Sequence, residues 1–387
     1  MKNRLFILLI AALLLLLAGC QPAPAQPTEQ EPAEAAEPAE AAEPAEAAEP
    51  AEAAEPAEEV DPIALALELA DKAAAGQTAE ISTESDITIG VVMPALDNDG
   101  WRAIYIGALS TVIERGVNLI TLDARDKVET QIAMIEDLIT KQVDAIVFVP
   151  VDSAALSTSV QAANAAGIPI VAMDRSTEGG DVLALVESNN TEIGYNGAML
   201  MAQVAEELGV AVEDLRILEI VGDPATSAGQ ERHEGFTTGA EELGFNVVAS
   251  LAANWNAERA NAVVLDAFQA NPDINAIYAA SGCAYFSGIE SAMRSLGNYF
   301  PRGEEGHIIL ISTDGCPAPL QAIRDGYVDA DSAQQLVTMG QTALNIAIDA
   351  VGGTMPAESV VRLGPDSILP ENVDDIFHWA NAVNTAR

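Results

Sequence analysis

Two doubly wound α/β lobes, each built on a parallel sheet, are the fold class that this 387-residue sequence predicts. Three observations carry it. Short apolar runs rich in β-branched residues alternate with helical patterns from Asp86 onward. The alternation restarts after the stretch VLALVESNN, Val182 to Asn190. Roughly 300 residues of globular chain can also bury two sizeable cores, since single cores stop growing near that length.

The N-terminus precedes any fold element. Lys2 and Arg4 stand before an apolar run from Leu5 to Leu17, followed by LAGC, Leu17 to Cys20. The run is shorter than the roughly 20 apolar residues a spanning helix needs, so residues 1–20 are expected to be a secretory signal. LAGC resembles the bacterial lipobox, which implies an acylated Cys20 and a lipid-anchored extracytoplasmic chain; a plain signal peptide with a chance Cys is the alternative. From Glu31 the hexapeptide EPAEAA repeats four times, with a partial copy from Glu55. A Pro in every sixth position would cost about 3 kcal/mol each time inside a helix, so an extended tether is expected. At about 3.1 Å per residue it could reach on the order of 120 Å, and an interaction tail is the other reading. Residues 61–75 read as a short capped helix, completing a segment 21–85 before the globular part.

The strand-like runs are ITIGVVM from Ile87, VNLITLD from Val117, DAIVFVP from Asp144 and IPIVAMD from Ile168, with helices expected over 103–114, 129–141 and 154–166. In the second half, strands are expected near 215–221, 246–251, 274–279, 307–313 and 328–333. A helix over 335–351 and a last strand near 359–363 follow. The segment AMLMAQVA, Ala198 to Ala205, reads as helical core packing.

Charge narrows the partners. Pro62 to Arg387 carries 46 acids and 15 bases, a net charge of −31, which repels phosphate backbones and anionic lipid and argues against nucleic acid. Three Cys form no CxxC or Cys/His metal spacing. The three His, His233, His307 and His378, make neither a triad nor a metal site, and no glycine-rich loop cradles a phosphate. No cofactor or metal is expected.

Ligands of open parallel sheets bind outside the carboxyl ends of the strands, and there the polar groups cluster. They are Asn98 and Trp101, flanked by Asp97 and Asp99; Asp174 and Arg175; Arg232; Trp255 between Asn254 and Asn256; Ser281; Asp314; and Gln334. Carboxylates, amides and guanidinium groups with aromatic rings suit a ligand with many hydroxyls, because planar groups bridge neighbouring hydroxyls while a ring covers an apolar sugar face. For Asp174 and Arg175 the alternative is a loop ion pair worth about 0–1 kcal/mol. A glycoside-processing enzyme would need paired carboxylates, for which Asp174 and Asp314 are the candidates, but Arg175 favours a charged Asp174 over a proton donor.

With MDR at Met173 to Arg175, RHEGF at Arg232 to Phe236, TDG at Thr313 to Gly315 and AQQ from Ala333, the chain from about Ile87 to Leu363 resembles the type I periplasmic sugar-binding proteins near the ribose-binding protein, which share their fold with LacI-type repressors. The resemblance implies ligand contacts at Asn98, Trp101, Asp174, Arg175, Arg232, Trp255, Asp314 and Gln334. It implies a non-enzymatic monomer that captures a pentose or hexose and delivers it to an ABC permease, or presents its liganded form to a receptor. It also implies two lobes, 86–190 with 335–363 and 191–334 with 364–387, closing about three crossings near 188–191, Gln334 and 363–365. Where the family has an Asn-Asp pair, this chain reads Ser281-Gly282-Cys283.

Two expectations concern the C-terminal lobe. Cys283 and Cys316 each follow the end of a strand, and consecutive strands joined by one helix are commonly neighbours about 4.8 Å apart, so a disulfide between them is expected; two buried free thiols are the alternative. Trp379 is expected to be a surface staple, not a ligand ring.

Overall fold

The computed structural model describes residues 61–76, 80–375 and 378–384; the apolar leader, Cys20 and the repeat tether lie outside them. Asp61 caps the first helix as its sequence suggests, its carboxylate accepting from the Ile63 amide at 2.9 Å, with Pro62 at the first helical position.

From α1 (Pro62–Ala74) the chain runs through β1 (Glu80–Ile81), β2 (Thr88–Met93), α2 (Asp99–Arg115), β3 (Asn118–Asp123), α3 (Val128–Lys141), β4 (Ala145–Phe148), α4 (Ser157–Ala165), β5 (Ile170–Met173) and β6 (Ala184–Ser188). It continues through α5 (Asn190–Leu208), β7 (Ile217–Val221), α6 (Ser227–Leu243), β8 (Val247–Ala252), α7 (Ala257–Ala270), β9 (Ala276–Ala279), α8 (Gly282–Leu296), β10 (Ile309–Asp314), α9 (Pro317–Arg324) and β11 (Ala330–Ala333). It ends with α10 (Leu336–Val351), β12 (Val360–Leu363), β13 (Asp366–Ile368) and α11 (Trp379–Asn384).

Two sheets result, ordered β1-β3-β2-β4-β5-β6-β12 and β13-β11-β10-β9-β7-β8. Every pairing is parallel except at two edges, where β1 meets β3 and β13 meets β11 antiparallel. The central strands β4 and β5 are buried at all positions, as continuous apolar runs with helices over both faces require. The antiparallel edge strands β1 and β13, two and three residues long, escape the sequence patterns because neither spans a full alternation.

Neighbouring helices pack on one another through close backbone approach. A Cβ added to Gly107 of α2 would lie 1.9 Å from the Val337 carbonyl of α10, and one on Gly340 would lie 1.9 Å from the Ile104 carbonyl. The same reciprocal contact joins α5 and α6, with Gly194 facing the Arg232 carbonyl and Gly235 facing that of Thr191. Ala198, Leu200, Met201, Val204 and Ala205 of α5 are buried, so AMLMAQVA is core.

The chain passes between the sheets three times, after β6, after β11 and after β12. These passages are bonded to one another: Ser188 Oγ donates to Gln334 Oε1 at 2.8 Å, and Gln335 Nε2 donates to the Gly364 carbonyl at 3.1 Å.

Candidate functional site

β10 ends in Asp314, whose backbone sits at φ 89°, a conformation in which non-glycine residues are rare and which concentrates at functional positions. Four side chains and one backbone turn hold it there. Its Oδ1 accepts from Arg232 Nη1 at 2.6 Å and from Gln334 Nε2 at 2.9 Å, and its Oδ2 accepts from the Ser281 hydroxyl. Its own carbonyl accepts from Trp379 Nε1 at 2.6 Å. The next amide, Gly315, donates to Asp331 Oδ1 at 2.8 Å.

Arg232 is 5% exposed and is held through Nε and Nη1. Nε donates to Asn190 Oδ1 at 2.9 Å, Nη1 donates to the Ala280 carbonyl at 2.7 Å as well as to Asp314, and the guanidinium carbon lies 5.9 Å from the centre of the Trp255 ring. Burial opposes its charge, but the charge and hydrogen bond of Asp314, with Tyr278 and Asp174 nearby, together outweigh burial and raise its pKa above the ordinary arginine value, so it stays a cation.

Across the cleft, β2 and β5 of the first sheet present the facing wall. Asn98 caps α2, its Oδ1 accepting from Gly100 at 2.9 Å and Trp101 at 3.2 Å, which starts the helix four residues before the expected 103. Asp174, at φ 63°, accepts from Arg175 Nε at 3.1 Å, and the Arg175 guanidinium lies 5.1 Å from the Trp101 ring centre. The abrupt end of IPIVAMDR is therefore an acid–base–aromatic stack at a strand end.

Between the walls lies a cleft of about 750 Å³, within the range of small-molecule sites. Asn98, Trp101, Asp174, Asp314 and Gln334 line it. Arg175, Arg232, Trp255 and Ser281 stand behind that lining, each touching one of its members or, for Trp255, Arg232. Sequence reasoning missed Phe286, Ser287 and Glu290 of α8, the Pro317–Pro319 turn of α9, Leu336 and Trp379. For the α8 and α9 residues the sequence carries a signal, since both helices begin directly after strands that end in polar residues, Ser281 and Asp314.

Cys283 and Cys316 form a disulfide with Cα atoms 5.4 Å apart, tying the starts of α8 and α9 at the cleft wall. Trp379 is not a surface staple: it is 4% exposed, lines the cleft and bonds the backbone of Asp314. The reason is β13, which the sequence patterns missed and which turns the tail back toward the strand ends.

Such a cleft between two doubly wound lobes, with polar and aromatic groups at facing strand ends, defines a solute-binding protein of the periplasmic type. The chain belongs to the periplasmic binding protein domain family, which it matches over residues 89–355. It is 33% identical to the ribose import binding protein of Bacillus subtilis over 270 residues, covering 70% of this chain and 83% of that protein. It is 27% identical to the D-allose-binding periplasmic protein of Escherichia coli, covering 67% of this chain and 83% of that one. Among solved structures, an ABC transporter periplasmic solute binding protein from Actinobacillus succinogenes with bound D-allose superposes with a TM-score of 0.62 at 25% identity, covering 75% of this chain and all of that one. These relatives are binding proteins, not enzymes, and so is this chain.

Proposed function

We propose that the chain captures a neutral monosaccharide, a pentose or hexose, and delivers it to an ABC permease from a lipid anchor at Cys20 on the outer side of the membrane. The observation that carries this reading is the set of planar hydroxyl-matching groups lining one cleft, Asn98, Asp174, Asp314 and Gln334, with the Trp101 ring among them. The names of the relatives, which bind ribose and D-allose, support the same ligand class. A surface of net charge −31 disfavours phosphorylated or acidic sugars.

In this reading Asp314 and Gln334 accept and donate to ligand hydroxyls from one side while Asn98 and Asp174 do so from the other, and Trp101 covers an apolar face. Lobes 86–190 with 335–363 and 191–334 with 364–387 close by rotation about the three bonded crossings, excluding water from the sugar. Residues 21–85 hold the monomeric domain off the membrane.

A thermal-shift screen of pentoses, hexoses, amino acids and nucleosides tests it. A ligand at 100 times its Kd adds about 2.7 kcal/mol of stability, which raises the melting temperature measurably. A shift with nucleosides or amino acids and none with any sugar overturns the sugar reading.

A further inference from the structure

Residues 366–384 follow the span matched to the family, 89–355. β13 pairs antiparallel with β11, which sends the chain back along the edge of the second sheet. His378 then locks to the start of that strand: its Nδ1 lies 2.7 Å from Asp366 Oδ2, and its Nε2 lies 2.8 Å from the Asn372 carbonyl. Both partners are acceptors, so both ring nitrogens carry protons and the ring is an imidazolium paired with a carboxylate.

Arg324, at the end of α9, fastens the middle of the segment, donating to Asp374 Oδ1 at 2.7 Å, to the Val373 carbonyl at 3.2 Å and to Asn381 Oδ1 at 2.8 Å. With the segment so held, α11 packs against both α2 of the first-sheet side and α9 of the second. It thus touches helices that start at both walls of the cleft. Trp379, immediately after His378, lies against Gly315, where even a methyl group would come within 3.0 Å of its Nε1. From that position it donates to the Asp314 carbonyl, in the one residue of the site whose φ is 89°. A peptide turned into that region needs a partner for its carbonyl, and the indole supplies it.

We propose that residues 366–375 and 378–384 form an arm belonging to the ligand site, in which Trp379 is the positioning residue for Asp314 and the His378–Asp366 pair is the clasp that holds the arm across both walls. The inference rests on the reading of the cleft as a sugar site for its effect on affinity, but not for its effect on Asp314.

Two variants of the full chain test it, Trp379→Phe, which keeps a ring and removes the donor, and Asp366→Asn, which keeps the shape of the clasp and removes its charge while leaving the cleft untouched. Calorimetric titration with D-ribose and D-allose as probes, and hydrogen–deuterium exchange of the backbone over 312–318, are the readouts. We expect the Kd of whichever probe binds the parent chain to rise about tenfold in Trp379→Phe and severalfold in Asp366→Asn, with exchange over 312–318 faster in both. A structural role remote from the site would lower melting temperature without moving affinity or that exchange, and such a result overturns the proposal. If the parent chain binds neither probe, the sugar reading is what fails. The arm is then judged by exchange alone: faster exchange in Trp379→Phe supports it, and unchanged exchange overturns it.

Discussion

Arg232 Nη1 donates to Asp314 Oδ1 at 2.6 Å, with side chains only 6% and 8% exposed, so the ion pair at the centre of the site is a buried one. Removing one member of a buried pair leaves an uncompensated charge and costs about 3–5 kcal/mol, unlike the 0–1 kcal/mol of surface pairs. Arg232→Ala and Asp314→Ala are therefore expected to lower the stability of the ligand-free protein by about that amount in urea denaturation. Each should also weaken sugar binding, measured on the folded fraction, by roughly thirtyfold, the equivalent of about 2 kcal/mol. Stability losses under 1 kcal/mol would show that the pair is not buried in solution.

The Cys283–Cys316 disulfide closes a loop with a sequence separation of 33. By loop-closure entropy such a bond contributes about 3–4 kcal/mol. Reduction, or the double variant Cys283→Ala/Cys316→Ala, is expected to lower stability by up to that amount. It should also loosen the cleft wall where α8 and α9 begin. Alkylation mass spectrometry under denaturing, non-reducing conditions checks the bond itself: label on both cysteines contradicts it.

Stability should fall as the pH rises from about 5.5 to 8.5. For His307 and His378, burial of the ring opposes the charge, but the hydrogen bonds to Asp329 and Asp366, the charges of those carboxylates and a backbone carbonyl on each ring together outweigh it and raise both above the ordinary 6.5. His233, half-exposed, is raised by Glu219 and adds less. The Asp331 carboxyl is pushed up to about 7 by burial, helped by the nearby charge of Asp314. A raised folded pKa means protons are held more tightly in the native state. The stability these groups contribute is present below their unfolded values and lost as pH rises through the folded ones. The lowered carboxyls, Glu68 and Glu207, titrate below this window. Urea midpoints at pH 5.5, 7 and 8.5 test it; a flat or rising series goes against the assignment, and Asp331→Asn should remove part of the slope.

Gly194→Ala is expected to disturb the site from outside it. The added methyl would meet the Arg232 carbonyl at 2.0 Å, so α5 and α6 must separate. Overpacking of this kind costs about 1–3 kcal/mol, and because Arg232 rides on α6 its bond to Asp314 lengthens with the helix. Calorimetry should show weaker sugar binding together with a lower melting temperature; retention of both at parental values would mean that the helices are not in backbone contact.

Much of this protein was legible without coordinates. Apolar runs such as ILIST and IVAM, punctuated by Gly and Pro and spaced by helical patterns, specify buried parallel strands locally, and the polar residues that end them fall on one edge by the topology of such sheets. That is how Asp174, Asp314 and Gln334 could be grouped although they are far apart in the chain.

Tertiary structure alone decided the division of labour among them. Nothing local says that Asn98 spends its oxygen on capping α2, that Arg232 and Ser281 stand behind Asp314 rather than in the lining, or that a three-residue strand turns the tail so that Trp379 reaches a carbonyl 65 positions earlier. β13 and α11, three and six residues long, are too short to show a period, and their positions depend on partners brought near only when the sheets have formed. Periodic burial is written along the chain, residue by residue. Which donor meets which acceptor is settled by packing, because hydrogen bonds act over about 3 Å and the chain sets those distances only once it is folded.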